Sequence, residues 1–211
     1  MTKTLLIIVT EGPTDDEFYR RLLPEIKRQN GGSPFGFSKI DFVCATGISR
    51  FENKIVARIQ QQFCTGDYAT YQKTVCLCYD QDVFDRFAMH PPVDWNSVRT
   101  RIHAMGISSI IEIKADQMIE DFFLCDIEGI KRFLRISKDY SLPHGLHSLK
   151  ALETLYRKGN RVYVKGEKAE GLIASLNFTI IMAKICSSIA PLCDVLGYHC
   201  ARDKCPIQSM E

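Results

Sequence analysis

Leu5 to Val9 is an unbroken apolar run that stops at Thr10-Glu11-Gly12-Pro13. A short apolar run closed by Gly and Pro reads as a buried strand ending in a turn. Thr14 can cap the helix that follows, and Glu17, three residues on, completes a capping box. Phe18, Leu22 and Ile26 recur every four residues, so one face of that helix packs inward. Asn30-Gly31-Gly32-Ser33-Pro34 ends it. Ile40 to Cys44 predicts a second strand, and Ile55, Ile59 and Phe63 mark the face of a second helix. Thr74 to Tyr79 predicts a third strand, followed at once by Asp80-Gln81-Asp82. Trp95 to Met105 predicts a helix stopped by Gly106, and Ile110, Ile111 and Ile113 a fourth strand. Strands alternating with helices imply βαβ units and a mostly parallel sheet.

Beyond Asp116 the pattern becomes helical. Gln117 to Leu124 and Ile127 to Ile136 have helical spacing, Ser141 to Gly145 is a break, and Leu149 to Tyr156 resumes the helix. Gly159 to Val164 predicts a turn and a short strand. Leu172 to Ile189 is mainly helical, with Asn177 as a cap inside it. Gly197 to Glu211 shows no clear period. The expected fold is α/β, a mostly parallel sheet flanked by helices, with a helical C-terminal part.

Composition adds little to this. The net charge is +2, from 27 basic and 25 acidic residues, so bulk charge argues neither for nor against nucleic acid. Nine cysteines are many for 211 residues. Cys76 and Cys78 sit inside an apolar run, where thiols behave as small hydrophobes, and this setting predicts a reducing compartment. No segment reaches the roughly 18 apolar residues needed to span a bilayer, and no signal peptide is evident. A cytoplasmic protein with no membrane partner is expected. Cys186, Cys193, His199, Cys200 and Cys205 cluster late in the chain, but their spacing is not that of a zinc knuckle. Buried thiols are the plainer reading.

The acids change the picture more. In an open parallel sheet, functional groups gather beyond the carboxyl ends of the strands. Glu11 follows the first strand, and Asp80 and Asp82 follow the third, so all three should face one crevice. Alternate residues point the same way, so Asp80 and Asp82 can offer both carboxylates to one ion. Oxygen ligands without a nearby histidine suit Mg²⁺ or Mn²⁺ better than zinc. Asp15 and Asp16 fit the first turn of a helix, where the dipole favours negative charge.

LLIIVTEGPTDDEFY (residues 5–19), together with Cys78-Tyr79-Asp80-Gln81-Asp82-Val83, resembles the Toprim (topoisomerase–primase) family. The form is that of its nuclease branch, which includes the overcoming-lysogenization-defect nucleases and small bacterial defence proteins. The resemblance covers about residues 4–125. It implies a Toprim-like Rossmannoid domain over 1–125, with 126–211 as a mainly helical extension packed on it. It assigns Glu11 the family's glutamate role, and Asp80 and Asp82 its DxD roles. Asp116 to Leu124 resembles the acidic helix of that branch, where a further carboxylate serves a second metal. Glu120 is the first choice there and Asp116 the second.

The chemistry so implied is two-metal phosphoryl displacement. Lys114, at the end of the fourth strand, is the basic side chain expected to offset charge on the phosphate. Arg50, Lys54 and the turn Lys165-Gly166-Glu167-Lys168 are further candidates for backbone contact. No G-x-x-x-x-G-K-[ST] occurs in the chain, so any ATP-using step would need a partner ATPase. The expected function is a divalent-metal-dependent nuclease acting on DNA or RNA, with antiviral defence as its setting by family analogy. The alternatives are a Toprim-like interaction subunit and a phosphoesterase acting on small substrates.

Overall fold

A computed structural model describes residues 2–81, 92–107, 109–115, 118–165, 167 and 169–198. Four strands form one sheet: β1 (Thr4–Thr10), β2 (Lys39–Cys44), β3 (Gln72–Asp80) and β4 (Ser109–Ala115). Every pairing is parallel and the order is β2-β1-β3-β4. The chain therefore moves from β1 to one side for β2, then to the other side for β3. Beyond the carboxyl ends of β1 and β3 the connections part, and a crevice opens at such a switch in strand order.

The period-two alternation of the strands divides the interior into two cores. Leu5, Ile7 and Val9 of β1, with Val75, Leu77 and Tyr79 of β3, pack on one face. Their partners there are α2 (Val56–Phe63), reached through a π-helical turn at Phe51–Ile55, and α3 (Trp95–Ala104). Ile55, Ile59 and Phe63 are buried, as their spacing predicts. Leu6, Ile8, Cys76, Cys78 and Ile113 face the other way. That face is covered by α1 (Pro13–Gln29), whose Phe18, Leu22 and Ile26 are fully buried.

The same second core continues into the C-terminal helices: α4 (Ile119–Leu124), α5 (Ile127–Leu134), α6 (Ser148–Lys158), α7 (Glu170–Ser175), α8 (Phe178–Lys184) and α9 (Cys186–Val195). Phe18 stacks within 6 Å of Phe122, Phe123 and Phe178, which ties α1 to α4 and α8. Asp126 caps α5 at Gly129 N (3.0 Å) and also accepts from Asn177 N (2.7 Å), so one buried carboxylate fixes two helix starts. Asn177 in turn caps α8, accepting from Thr179 N and Ile180 N, the cap that its position predicts. Among the described residues no single helix is long and apolar enough to cross a membrane.

Two local expectations are corrected. Helix α1 begins at Pro13 with Gly12 as its N-cap, and no side chain caps it. Proline at the first helical position has its φ already set for a helix, so Thr14 lies inside the first turn. Its hydroxyl donates instead to Glu167 O (2.5 Å), and Glu17 pairs with Arg21. The segment 161–164 is not a strand. Its alternation is real, with Val162 and Val164 exposed and Tyr163 buried. The inward side chain, Tyr163, meets the carboxylate of Glu120 rather than a neighbouring strand's backbone.

Candidate metal centre

The ends of β1 and β3 bring Glu11 and Asp80 together. Thr10 pairs with Cys78 in the parallel register, so the residues just beyond are level. Asp80 N donates to Glu11 Oε2 at 3.4 Å. Asp80 closes β3 on the same face as Cys76 and Cys78, the face covered by α1 and α4. There its Oδ1 accepts from Ile119 N (2.9 Å) at the first residue of α4. One helical step further, Glu120 turns inward and is 1% exposed. Asp15, in the first turn of α1, is also buried. These four carboxylates line one cavity of about 280 Å³, together with Gly12, Thr46, Gly47 and Lys165.

Burying so much negative charge is costly. Burial holds the Asp80 carboxyl up at about 9, reinforced by Asp15 and then Glu11, against the lowering pull of Lys165. Burial likewise pushes Asp15 up to about 7, with Glu11 the next contributor. Lys165 Nζ reaches Asp80 Oδ2 at 3.3 Å and compensates part of the charge. Tyr163 OH donates to Glu120 Oε1 at 2.8 Å. Burial, and then the neighbouring Glu120, push this phenol well up, so it keeps its proton and remains a donor. Glu120 Oε2 is buried with no hydrogen-bond partner.

Residues 163, 165 and 167 thus form a strap across the acids. Tyr163 holds Glu120, Lys165 meets Asp80, and Glu167 O takes the Thr14 hydroxyl. The basic side chain that lines this cavity is Lys165. The sequence offered a basic turn there, but not its destination. Lys114 lies elsewhere. It pairs in register with Tyr79, one residue before Asp80, so the alternation puts it on the opposite face of the sheet. There Lys114 Nζ lies 3.4 Å from Glu112 and over the Tyr79 ring, half exposed. Glu112 also accepts from Tyr79 OH and Arg99. Asp16 pairs with Arg20 on the outside of α1. Arg50 bonds to Thr46 Oγ1 at the cavity rim.

Asp82 and Asp116 lie outside the described residues, as do His199, Cys200 and Cys205. Among the described residues no group of three or more His, Cys, Asp or Glu side chains is arranged as a metal cage. The reason is visible at Asp80 and Glu120, whose occupied oxygens point to Ile119 N, Lys165 and Tyr163. The residues nevertheless fit a hard divalent cation. The donors are all carboxylate oxygens, the set preferred by Mg²⁺ and Mn²⁺. One of them, Glu120 Oε2, is buried on the cavity wall and lacks a partner.

No protein-family model matches the chain, and no curated protein does. A solved structure, the C-terminal region of the OLD protein of Xanthomonas campestris pv. campestris, is similar with a TM-score of 0.37 and 13% identity. The match covers 91% of this chain and 95% of that one. A likeness of this depth transfers no activity, so any functional assignment rests on the residues themselves.

Proposed function

We propose that this protein is a divalent-metal-dependent phosphodiesterase that hydrolyses DNA or RNA. The observation that carries the reading is the convergence of Glu11, Asp15, Asp80 and Glu120 in one buried cavity at the β1/β3 switch. Burial, reinforced by their mutual repulsion, raises Asp15 and Asp80 far above ordinary carboxylates. Glu11, Asp80 and Glu120 would hold the cation, with Asp82 and Asp116 assigned beside them on sequence grounds. Bound Mg²⁺ or Mn²⁺ would supply Lewis acidity toward a phosphoryl oxygen and a lowered pKa for water.

The chain's own residues do the rest. Helix α4 fixes Asp80 through Ile119 N, and Tyr163 fixes Glu120. The Lys165 side chain is 40% exposed, so its ammonium can swing from Asp80 to a phosphate oxygen. In that position it offsets charge developing on the transferred group. Antiviral defence and a partner ATPase remain parts of the proposal that rest on family analogy.

A second reading, a phosphoesterase for small substrates, is favoured by the modest size of the strapped cavity, about 280 Å³. A larger groove along α1 does not restore the polymer reading by charge. Its Arg20, Arg21 and Arg28 are each paired with Asp16, Glu17 or Glu25.

Incubating the protein with labelled DNA, tRNA, other RNA and bis(4-nitrophenyl) phosphate in Mn²⁺, Mg²⁺ or EDTA separates these readings. Metal-dependent cleavage of a polymer, lost in Glu11→Gln and Asp80→Asn, is expected. Turnover of the small ester alone would favour the second reading. Cleavage unchanged in both variants would overturn the assignment.

A further inference from the structure

Glu120 is held in an unusual way for a buried acid. Its Oε1 takes the Tyr163 hydroxyl at 2.8 Å, while its Oε2 is buried on the cavity wall with no partner. A carboxylate oxygen left in this state costs free energy, so a single hydroxyl bond is a poor structural end in itself. The Tyr163 ring, for its part, is not free to move. It is 8% exposed, belongs to the core shared by the sheet and the C-terminal helices, and meets the Tyr156 ring edge-on at 5.1 Å. Its neighbours Val162 and Val164 point outward. The strap is pinned beyond it by the Thr14 hydroxyl on Glu167 O. The phenol is therefore a rigid donor aimed at one oxygen of one acid.

We propose that Tyr163 is a positioning residue: it fixes the Glu120 carboxylate through Oε1 so that Oε2 is presented to a divalent cation. This rests on the metal-site reading above, and deepens it by bringing the C-terminal strap into the metal's surroundings. A hydrogen bond to the outer oxygen of a ligating carboxylate orients the ligand and keeps the second oxygen from rotating away. Losing such a partner costs roughly 10- to 100-fold in metal affinity.

Mn²⁺ binding to the full chain, followed by electron paramagnetic resonance of the free ion, tests this without reference to cleavage. Tyr163→Phe keeps the ring and removes only the hydroxyl. Its dissociation constant for Mn²⁺ should rise about 10-fold, and Glu120→Gln should weaken binding at least as much. Because Tyr163 acts through Glu120, the double variant should bind no more weakly than Glu120→Gln alone. Effects that multiply would overturn the positioning role, as would a Tyr163→Phe variant with unchanged affinity and only a shifted urea midpoint. Absence of Mn²⁺ binding by the parent would overturn both this role and the metal site. Binding by the parent without cleavage of any substrate would sink the nuclease reading alone, and the double-variant result would still decide Tyr163. Should Tyr163→Phe not fold, Glu120→Gln decides the proposal, and unchanged Mn²⁺ affinity in that variant would overturn it.

Discussion

Replacing Asp80 by Asn should stabilise the metal-free protein while abolishing the proposed cleavage. The native carboxyl sits at about 9 instead of 3.8, chiefly through burial and then through Asp15 and Glu11. Between those values the folded state keeps a proton that the unfolded state releases. The group's contribution is therefore intact below about pH 4 and is lost as pH rises toward 9. At pH 8 this cost has an upper bound on the order of 6 kcal/mol, at about 1.4 kcal/mol per pH unit. Asn still accepts from Ile119 N but then turns its NH2 toward the Lys165 ammonium in place of a carboxyl oxygen, which offsets part of the gain. A net stabilisation of about 2 kcal/mol is expected, or roughly 5 °C in Tm for a chain of this size. Thermal unfolding in EDTA at pH 8 and pH 5 measures it. The advantage should shrink at pH 5. Saturating Mg²⁺ should raise the Tm of the parent and leave the variant nearly unmoved. A variant less stable than the parent in EDTA at pH 8, or a gain equal at both pH values, would refute the reasoning.

Lys165→Ala should lower the turnover measured at saturating Mn²⁺ by about 100-fold or more, whereas Lys114→Ala, on the far face of the sheet, should stay within about 3-fold; the reverse order would return the role to Lys114. Gly129→Ala would set a Cβ 2.0 Å from Asp126 Oδ2 and displace the carboxylate from both Gly129 N and Asn177 N. A loss of about 2–3 kcal/mol is expected, read as a lower urea midpoint with an unchanged slope. Phe123→Ala removes a fully buried ring that stacks on Phe18, and should cost about 3–5 kcal/mol by the same measurement; a midpoint within error of the parent would show that the cluster around Phe18 is not packed as described.

The parts of this fold that were legible in the sequence are those with a strong local period. Leu5 to Val9 and Thr74 to Tyr79 are continuous apolar runs because both faces of their strands are covered. The glutamate and aspartate at their ends could be placed in one crevice from strand direction alone. Lys114 falls on the far side from these acids because a strand end has two faces, and a shift of one residue exchanges them. Asp15 read as an ordinary helix-start acid, because nothing local announces that α4 and the strap will seal it from water. Lys165 and Tyr163 were harder still. Their partners lie 85 and 43 residues away in the chain, and alternation across 161–164 mimics a strand when its inward groups are bound by side chains. Thr14 illustrates the same limit, since its hydroxyl serves a contact 153 residues distant rather than its own helix.

That last distance has a consequence for synthesis. Glu11, Asp15, Asp80 and Glu120 all emerge from the ribosome before the tyrosine and lysine, residues 163 and 165, that complete their surroundings. A nascent or prematurely stopped chain carries a cluster of mutually repelling carboxylates and no strap to tame it. The surroundings of the acids are completed only when that later segment has been made.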